Sequence, residues 1–285
     1  DRFWIKSSNI NTVCNFCKKV KIDNKSIYNN LKRVTLKITS LGMFRVFING
    51  QSITNNIFMP GYTSFKHRVQ EFTYDLTDYF NKEENLIEIY LASGWGGAKW
   101  FGWDQGNRPY FEPSLNFVFE FEYLDNITFL TSNDTWDVYS TFILSSEIYD
   151  GEIQDKLAPI NYLGKAIIDK SINTNIVPNS GCDIIEDEII YPLSMFNTPK
   201  GELVIDFGQN FTGYVTINIS GVRGEKISFI PGEILDKDGN FYNANYRNAK
   251  SLFSYTLTGD RDSFKPWFSF QGLRYIKLLE YPKNI

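Results

Sequence analysis

The stretch LNFVFEFEY at residues 115–123 alternates between large apolar side chains and mostly polar ones. Its odd-numbered positions, Leu, Phe, Phe, Phe and Tyr, are all large and apolar. Successive side chains of a β-strand point to opposite faces, so this period of two predicts a strand with one face in a core and the other toward solvent. The pair Asp125-Asn126 then predicts a turn into a second strand at residues 127–130.

The same alternation recurs along the chain. We predict further strands at residues 34–38, 44–48, 86–91, 214–219, 226–230 and 273–279. A short helical turn is expected near residues 75–80, and no stretch has a sustained helical period. Many short strands separated by Gly and Asn turns are typical of paired sheets that bury their alternate residues against each other. The sequence therefore predicts an all-β protein built of antiparallel, jelly-roll-like β-sandwiches.

The length of 285 residues predicts two domains, because it exceeds what one hydrophobic core usually supports. Prolines and an acidic patch at residues 183–188 interrupt the alternation between residues 158 and 199, as in a connector. We place the boundary at residues 165–175. The predicted tandem is a sandwich at residues 1–170 followed by a second sandwich at residues 171–285.

The charge pattern argues against two classes of partner. The net charge is −4, and both signs are interspersed without a basic run that would neutralise adjacent phosphates, so no nucleic acid partner is expected. No apolar stretch approaches the ~20 residues that span a bilayer, so no membrane partner is expected.

The cysteines bear on location and on metal binding. An odd count of three, Cys14, Cys17 and Cys182, favours a reducing compartment and hence the cytoplasm, with secretion as the alternative. Cys14 and Cys17 have the spacing of a zinc-binding pair, which Cys182 and His67 would have to complete. A structural zinc site usually has a second closely spaced pair, so we do not expect zinc here.

A 17-residue loop at residues 93–109, SGWGGAKWFGWDQGNRP, is the strongest candidate site. Loops longer than ~12 to 15 residues are uncommon in compact domains and tend to be functional. Aromatic rings stack on the C–H face of a sugar, while Asp, Asn and Arg side chains bond adjacent hydroxyls. The candidate carbohydrate-binding residues are Trp95, Trp100, Trp103, Asp104, Asn107 and Arg108. The alternatives are that the tryptophans cap the sandwich, pack against another domain or dock a partner protein.

Several longer motifs resemble a known family. ELVIDFGQNFTGYVTINISG from Glu202, GEILDKDGNFYNANYRNAK, FSYTLTGD and FKPWFSFQGLRYIKLLEY resemble the concanavalin-like β-sandwich module that precedes the catalytic barrel of bacterial α-L-rhamnosidases. Upstream, FRVFING from Phe44, PGYT, TYDLT, Gly94-Trp95 and YDGE are similar to the N-terminal, galactose-binding-like module of that family. The resemblance extends from about Val34 onward.

The resemblance implies a non-catalytic role for this chain. In the family, a helical α/α barrel after these modules carries two glutamates that remove terminal α-L-rhamnose by inversion. We therefore expect a fragment whose partners are rhamnose-containing glycans and the barrel. Some members bind L-rhamnose in the N-terminal module with a calcium ion touching the sugar, so calcium is the candidate cofactor. By the same comparison Asp150 and Glu152 are candidates for substrate-proximal residues, with internal hydrogen bonding as the alternative.

The sequence is compatible with two other hypotheses. The chain could be a stand-alone, lectin-like binding module, or a platform on which the tryptophan loop docks a protein.

The segment DKDGN at residues 236–240 spaces oxygen ligands like the opening of a calcium loop, but Arg247 stands where that loop needs glutamate. We expect a tight Asp-Gly turn there instead.

Overall fold

The computed structural model describes residues 1–10, 12–22, 31–98 and 111–283. Within these ranges the chain has two one-turn 3₁₀ helices, η1 (Thr77–Tyr79) and η2 (Ala244–Tyr246), and is otherwise built of strands and loops. The strands are β1 (Ile5–Lys6), β2 (Cys14–Lys21), β3 (Leu31–Ser40), β4 (Met43–Ile48), β5 (Gln51–Ser52), β6 (Arg68–Asp75), β7 (Glu84–Ala92), β8 (Leu115–Tyr123), β9 (Ile127–Thr131), β10 (Asp137–Ser140), β11 (Ile143–Glu147), β12 (Gly151–Asp155), β13 (Tyr162–Lys165), β14 (Ile167–Ile168), β15 (Asn175–Pro178), β16 (Ser194–Asn197), β17 (Leu203–Gly213), β18 (Ile217–Ser220), β19 (Lys226–Gly232), β20 (Ile234–Leu235), β21 (Phe241–Tyr242), β22 (Leu252–Thr256), β23 (Arg261–Phe264) and β24 (Gln271–Glu280).

The all-β prediction is confirmed. Strand β8 has the predicted bounds, and its residues Leu115, Phe117, Phe119 and Phe121 are all buried. One predicted strand, at residues 214–219, is partly wrong, because the strand there is Ile217–Ser220 and residues 214–216 precede it. The chain leaves β17 at Gly213 and pairs with β23 only from Ile217, and the residues between carry it from one sheet to the other.

Unit 1 comprises residues 1–141 and 160–186. Its strands form one sheet in the order β14-β1-β8-β3-β6-β15, with β9 paired to β8, and a second in the order β13-β10-β2-β7-β4-β5. Apolar residues from both sheets share one core, for example Leu36 and Phe117 from the first and Phe16 and Val46 from the second. Unit 1 is therefore a β-sandwich.

Unit 2 comprises residues 142–159 and 187–285. Seven strands form a sheet in the order β11-β12-β22-β19-β24-β17-β16, and β18-β23 and β20-β21 form two small sheets. Phe229 and Ile276 of the large sheet share a core with Ile219 and Phe264 of β18-β23. Residues 142–159 belong to this unit although they precede the predicted boundary at residues 165–175.

Two strand pairs depart from the antiparallel pattern. Strand β12 pairs in parallel with β22, and β15 pairs in parallel with β6. Both pairs join segments about 100 residues apart in the sequence, as with Asp155↔Thr256 and Asn175↔Arg68. No helix of the described residues is long and apolar enough to cross a membrane.

The cysteines do not form the zinc site considered above. Cys14 and Cys17 lie three residues apart on β2, so their side chains leave opposite faces of the strand. All three thiols are free, and among the residues described no group of three or more His, Cys, Asp and Glu side chains could hold a metal.

Candidate functional site

Only the stem of the tryptophan loop falls in the described part of the chain. Trp100, Trp103, Asp104, Asn107 and Arg108 lie outside the described residues. Their proposed contacts with sugar stay predictions.

Trp95 is held in the stem of the loop by an apolar cluster. It packs, half-buried, against the cluster that contains Trp4, Leu41 and Phe65. Its ring also meets the ring of Tyr62 edge-on, with 5.9 Å between the centroids. Trp95 therefore has a packing role, and its ring reaches a tyrosine that is itself 56% exposed.

The glycines of the stem are required by packing within the protein. A Cβ on Gly94, which has φ of +51°, would lie 2.5 Å from the carbonyl carbon of Gly42. A Cβ on Gly97 would lie 2.6 Å from the carbonyl oxygen of Ser93. The close approach of backbone to backbone explains these two glycines, so they give no evidence for a ligand.

Tyr62 lines a cleft of about 190 Å³ in unit 1, which we call the Tyr62 cleft. One wall is the loop at residues 56–62, between β5 and β6, and the other is the segment at residues 179–184, after β15. Because β15 pairs with β6, it brings the second wall beside the first. The Ile57 N–H donates to the carbonyl of Ile184 (2.9 Å) and fixes the two walls together.

The loop wall has a strained backbone. Phe58 has φ of +58° and Gly61 has φ of +83°, and the Gly61 N–H donates to the carbonyl of Phe58 (3.0 Å). A positive φ is costly for a bulky residue such as phenylalanine. The Phe44 N–H donates to the carbonyl of Met59 (3.0 Å), and this bond ties the loop to β4.

Amide and carboxylate groups converge in the Tyr62 cleft. Oxygens of Asn179 and Gln70 lie 3.6 Å and 3.8 Å from the position of a Cβ on Gly181, so both amides face that glycine. The Gly181 N–H donates to Oδ1 of Asn179 (3.1 Å). Asp183 also lines the cleft, and burial of Tyr74, together with the charge of Asp183, raises the pKa of Tyr74. An aromatic ring beside amide and carboxylate groups can bind a polyhydroxyl ligand.

Glu152 has a different environment in unit 2, because it is fully buried. Its Oε1 accepts hydrogen bonds from Gln154 Nε2 (2.7 Å) and the Trp267 N–H (2.8 Å). Its Oε2 accepts from Ser146 Oγ (2.9 Å) and the Phe268 N–H (2.9 Å). Burial raises the pKa of Glu152, against the opposite effect of these four donors. This carboxylate joins β11 and β12 to the chain that enters β24.

Asp150 lies in the turn between β11 and β12. Its N–H and that of Tyr149 donate to Oε2 of Glu147 (2.9 and 2.6 Å). Its carboxylate accepts from the Lys250 N–H (3.3 Å) and lies 3.8 Å from the Lys250 ammonium. Asp150 is therefore bonded within unit 2 and is half-exposed.

Two further motifs have internal roles in unit 2. Asp206 accepts from Nε (2.9 Å) and Nη2 (3.0 Å) of Arg274, which joins β17 to β24, and Arg274 lowers the pKa of Asp206. The expected Asp-Gly turn is present as the β20-β21 hairpin. In it the N–H groups of Asp238 and Asn240 donate to Oδ1 of Asp236, so this oxygen serves the turn.

The sequence did not single out the polar lining of the Tyr62 cleft. Tyr62 belongs to the PGYT motif, but Asn179 and Asp183 lie in the connector, more than 110 residues away. Only the pairing of β15 with β6 places them beside the loop. No local pattern signals that pairing, so reasoning from spacing could not have found the cleft.

Comparison with known proteins identifies the family. The profile described as "Alpha-L-rhamnosidase N-terminal domain" matches residues 29–187, which is more than half of the chain. The profile described as "Bacterial alpha-L-rhamnosidase concanavalin-like domain" matches residues 196–285. This chain belongs to the α-L-rhamnosidase family. The resemblance inferred from the motifs is confirmed.

Individual α-L-rhamnosidases match most of this chain. That of Streptomyces avermitilis is 31% identical over 273 residues, which is 90% of this chain and 26% of that protein. That of an Alteromonas species is 30% identical over 271 residues, which is 89% of this chain and 29% of that protein. The chain thus spans between a quarter and a third of the length of these α-L-rhamnosidases.

Solved structures of α-L-rhamnosidases have the same fold. The Aspergillus terreus enzyme superposes with a TM-score of 0.88 at 25% identity, covering 100% of this chain and 34% of that one. The Streptomyces avermitilis enzyme complexed with L-rhamnose superposes with a TM-score of 0.85 at 26% identity, covering 96% of this chain and 27% of that one.

Proposed function

We propose that this chain is the non-catalytic region of an α-L-rhamnosidase that hydrolyses terminal α-L-rhamnosides by inversion. In this role it supports the helical catalytic barrel and binds carbohydrate in the Tyr62 cleft. The observation that carries the proposal is the match of about nine-tenths of this chain to α-L-rhamnosidases of which it covers only 26% and 29%.

Three carboxylates of unit 2 support a non-catalytic role. Inversion needs two carboxyl groups about 6.5 to 9.5 Å apart, one on each side of the scissile bond. Glu152 accepts from four internal donors, Asp206 is paired with Arg274, and Asp262 accepts from Tyr255 Oη (2.6 Å). These three carboxylates have structural roles. In the proposed enzyme, two glutamates outside this chain carry out the chemistry.

The Tyr62 cleft supports the carbohydrate-binding part of the proposal. An exposed ring beside the side chains of Gln70, Asn179 and Asp183 suits one face of a pyranose and its hydroxyls. The Streptomyces avermitilis relative has been solved with L-rhamnose, so this sugar is the ligand to test first. Calcium stays the candidate cofactor, and the loop residues Asp104 and Asn107, which are candidates for sugar binding, lie outside the described residues.

Two measurements on the 285-residue chain test the proposal. The chain should release no phenol from an aryl α-L-rhamnoside, and measurable turnover would overturn the non-catalytic assignment. Titration with L-rhamnose should change the tryptophan fluorescence in a saturable way, because Trp95 contacts the Tyr62 ring. The titration is repeated with calcium and with a chelator, and a flat response in both conditions would contradict carbohydrate binding.

A stand-alone binding module predicts the same sugar affinity. The two alternatives differ in the gene, because an α-L-rhamnosidase requires a reading frame that continues far beyond Ile285. We also propose a cytoplasmic location, which the three free cysteines support. Recovery of the protein from the culture medium would contradict that location.

A further inference from the structure

Four large apolar side chains project into solvent from one short segment of unit 2. Ile189, Tyr191, Leu193 and Met195 occupy alternate positions and are 77%, 77%, 73% and 56% exposed. We call this row the apolar ridge. The ridge lies between the residues matched by the two family profiles, 29–187 and 196–285, so it is not part of either matched module.

The ridge is fixed to the edge of the seven-stranded sheet. Ile190 packs against the core of unit 2 from within the same segment. The Leu193 N–H donates to the carbonyl of Asp206 (2.7 Å), and Met195 is paired with Ile205 of β17. These contacts hold the backbone in place, so the four ridge side chains cannot turn inward together without breaking them.

Such exposure is unfavourable for an isolated protein. Burial of a large apolar side chain stabilises a protein, and although single exposed apolar residues are common, a continuous row of them marks an interaction surface. The ridge begins beside two exposed carboxylates, Asp187 and Glu188. The matching surface is therefore an apolar strip with basic side chains at one end.

The exposed area of the ridge favours a segment of the same polypeptide over a separate protein as its binding partner. Four side chains of this kind present on the order of 500 Å², which is below the ~800 Å² per partner that stable intermolecular interfaces bury. A segment of the same polypeptide needs less area, because the covalent link supplies a high effective concentration. The relatives contain about two and a half times as much chain outside the matched region as within it, since the match covers 26% and 29% of them.

We propose that the apolar ridge is the surface on which the remaining part of the longer polypeptide docks against unit 2. This inference rests on the proposed function, which makes the chain one region of a longer enzyme. It assigns the contact to four named residues of the connector and to an apolar strip with basic neighbours on the partner region.

The test compares two double variants in the protein expressed from the complete reading frame. Tyr191→Ser with Leu193→Ser removes the middle of the ridge. Ile127→Ser with Phe129→Ser is the control, since these residues are also exposed (50% and 62%) but lie on β9 of unit 1. The ridge variant should be cut between the two regions about tenfold faster in limited proteolysis, because the undocked state is more populated. The control should be cut at the wild-type rate.

The same variants in the 285-residue chain separate docking from folding. Neither pair should change the unfolding midpoint of that chain, because the altered side chains are exposed there. Equal cleavage of the ridge variant and the wild type in the long protein would overturn the proposal. So would a 285-residue chain that sediments as a dimer and becomes monomeric in the ridge variant, since the occupant would then be a second copy. Absence of rhamnosidase activity in the long protein would refute the proposed function and would leave the cleavage comparison valid.

Discussion

The Glu152 network and the Tyr62 cleft both contain several polar side chains. They differ in whether the protein itself provides the hydrogen-bond partners of those side chains. Glu152 is fully buried, and four donors of unit 2 satisfy its two oxygens. In the Tyr62 cleft the side chains of Gln70 and Asn179 are half-buried and Asp183 is exposed, beside a ring that is 56% exposed. A polar cluster that the protein satisfies by itself maintains the fold, whereas one that opens to solvent is available to a ligand.

The largest effect is expected from a substitution in the buried Glu152 network. Glu152→Gln places an amide nitrogen against donors that need an acceptor, so the free energy of unfolding should fall by about 3 kcal/mol. Urea unfolding measures this loss. Glu188→Gln is the control, because Glu188 is exposed in the same unit, and its effect should stay within about 0.5 kcal/mol. Equal stabilities of the two variants would mean that the network does not stabilise unit 2.

The second-largest effect is expected in how the stability difference between the wild type and Glu152→Gln depends on pH. Burial raises the pKa of Glu152, so the folded protein binds the proton more tightly than the unfolded chain does. The stability advantage of the wild type over Glu152→Gln should therefore be greatest below the unfolded pKa. It should shrink as pH rises through the folded pKa, by about 1.4 kcal/mol per unit between the two values.

Subtracting the stability of Glu152→Gln from that of the wild type at each pH removes the contributions of the other titrating groups. Asp206 and Asp262 have lowered pKa values, and they add stability that is lost as pH falls, but they do so equally in both proteins. An advantage that grows with pH would show that the four hydrogen bonds outweigh burial at Glu152.

In the Tyr62 cleft, Tyr62→Ala should weaken binding of L-rhamnose by about 1 to 2 kcal/mol, or about tenfold in Kd. Tyr162→Ala is the matched control, because Tyr162 is 53% exposed on β13 of the same unit. Isothermal titration measures both. Trp100→Ala and Trp103→Ala in the same assay test the loop prediction, and sugar affinity unchanged in all three binding variants would end the proposal of a sugar site here.

The smallest expected effect uses a natural reporter. Cys182 is exposed and lines the Tyr62 cleft, whereas Cys14 is buried and burial raises the pKa of Cys17 to about 12. A maleimide should therefore label Cys182 first, since the thiolate is the reactive form. Saturating L-rhamnose should slow that labelling several-fold. An unchanged rate at saturation would place the sugar outside the cleft.

Most of the fold could be predicted from the sequence because its signals are local. The alternation in residues 115–123 reports which face of β8 is buried, and the motifs around Glu202 and Phe44 identify the family. The expected turn at Asp236 also follows from neighbouring residues. Each of these features depends on side chains within a few positions of one another.

The candidate site could be predicted only in part, because its parts are distant in sequence. The loop pattern singles out Trp95, whose ring meets that of Tyr62, but Asn179 and Asp183 reach the Tyr62 cleft only through the parallel pairing of β15 with β6. The burial of Glu152 depends in the same way on Trp267 and Phe268, more than 110 residues further along. Alternation along one strand carries no information about such partners.

A crystal structure of the 285-residue chain soaked in L-rhamnose tests the central claim most directly. The account predicts a sugar whose C–H face lies on the Tyr62 ring and whose hydroxyls bond Gln70, Asn179 or Asp183. It also predicts that the Glu152 network is unchanged. A sugar bound elsewhere with the Tyr62 cleft empty, or a sugar positioned between two carboxylates of this chain, would contradict it.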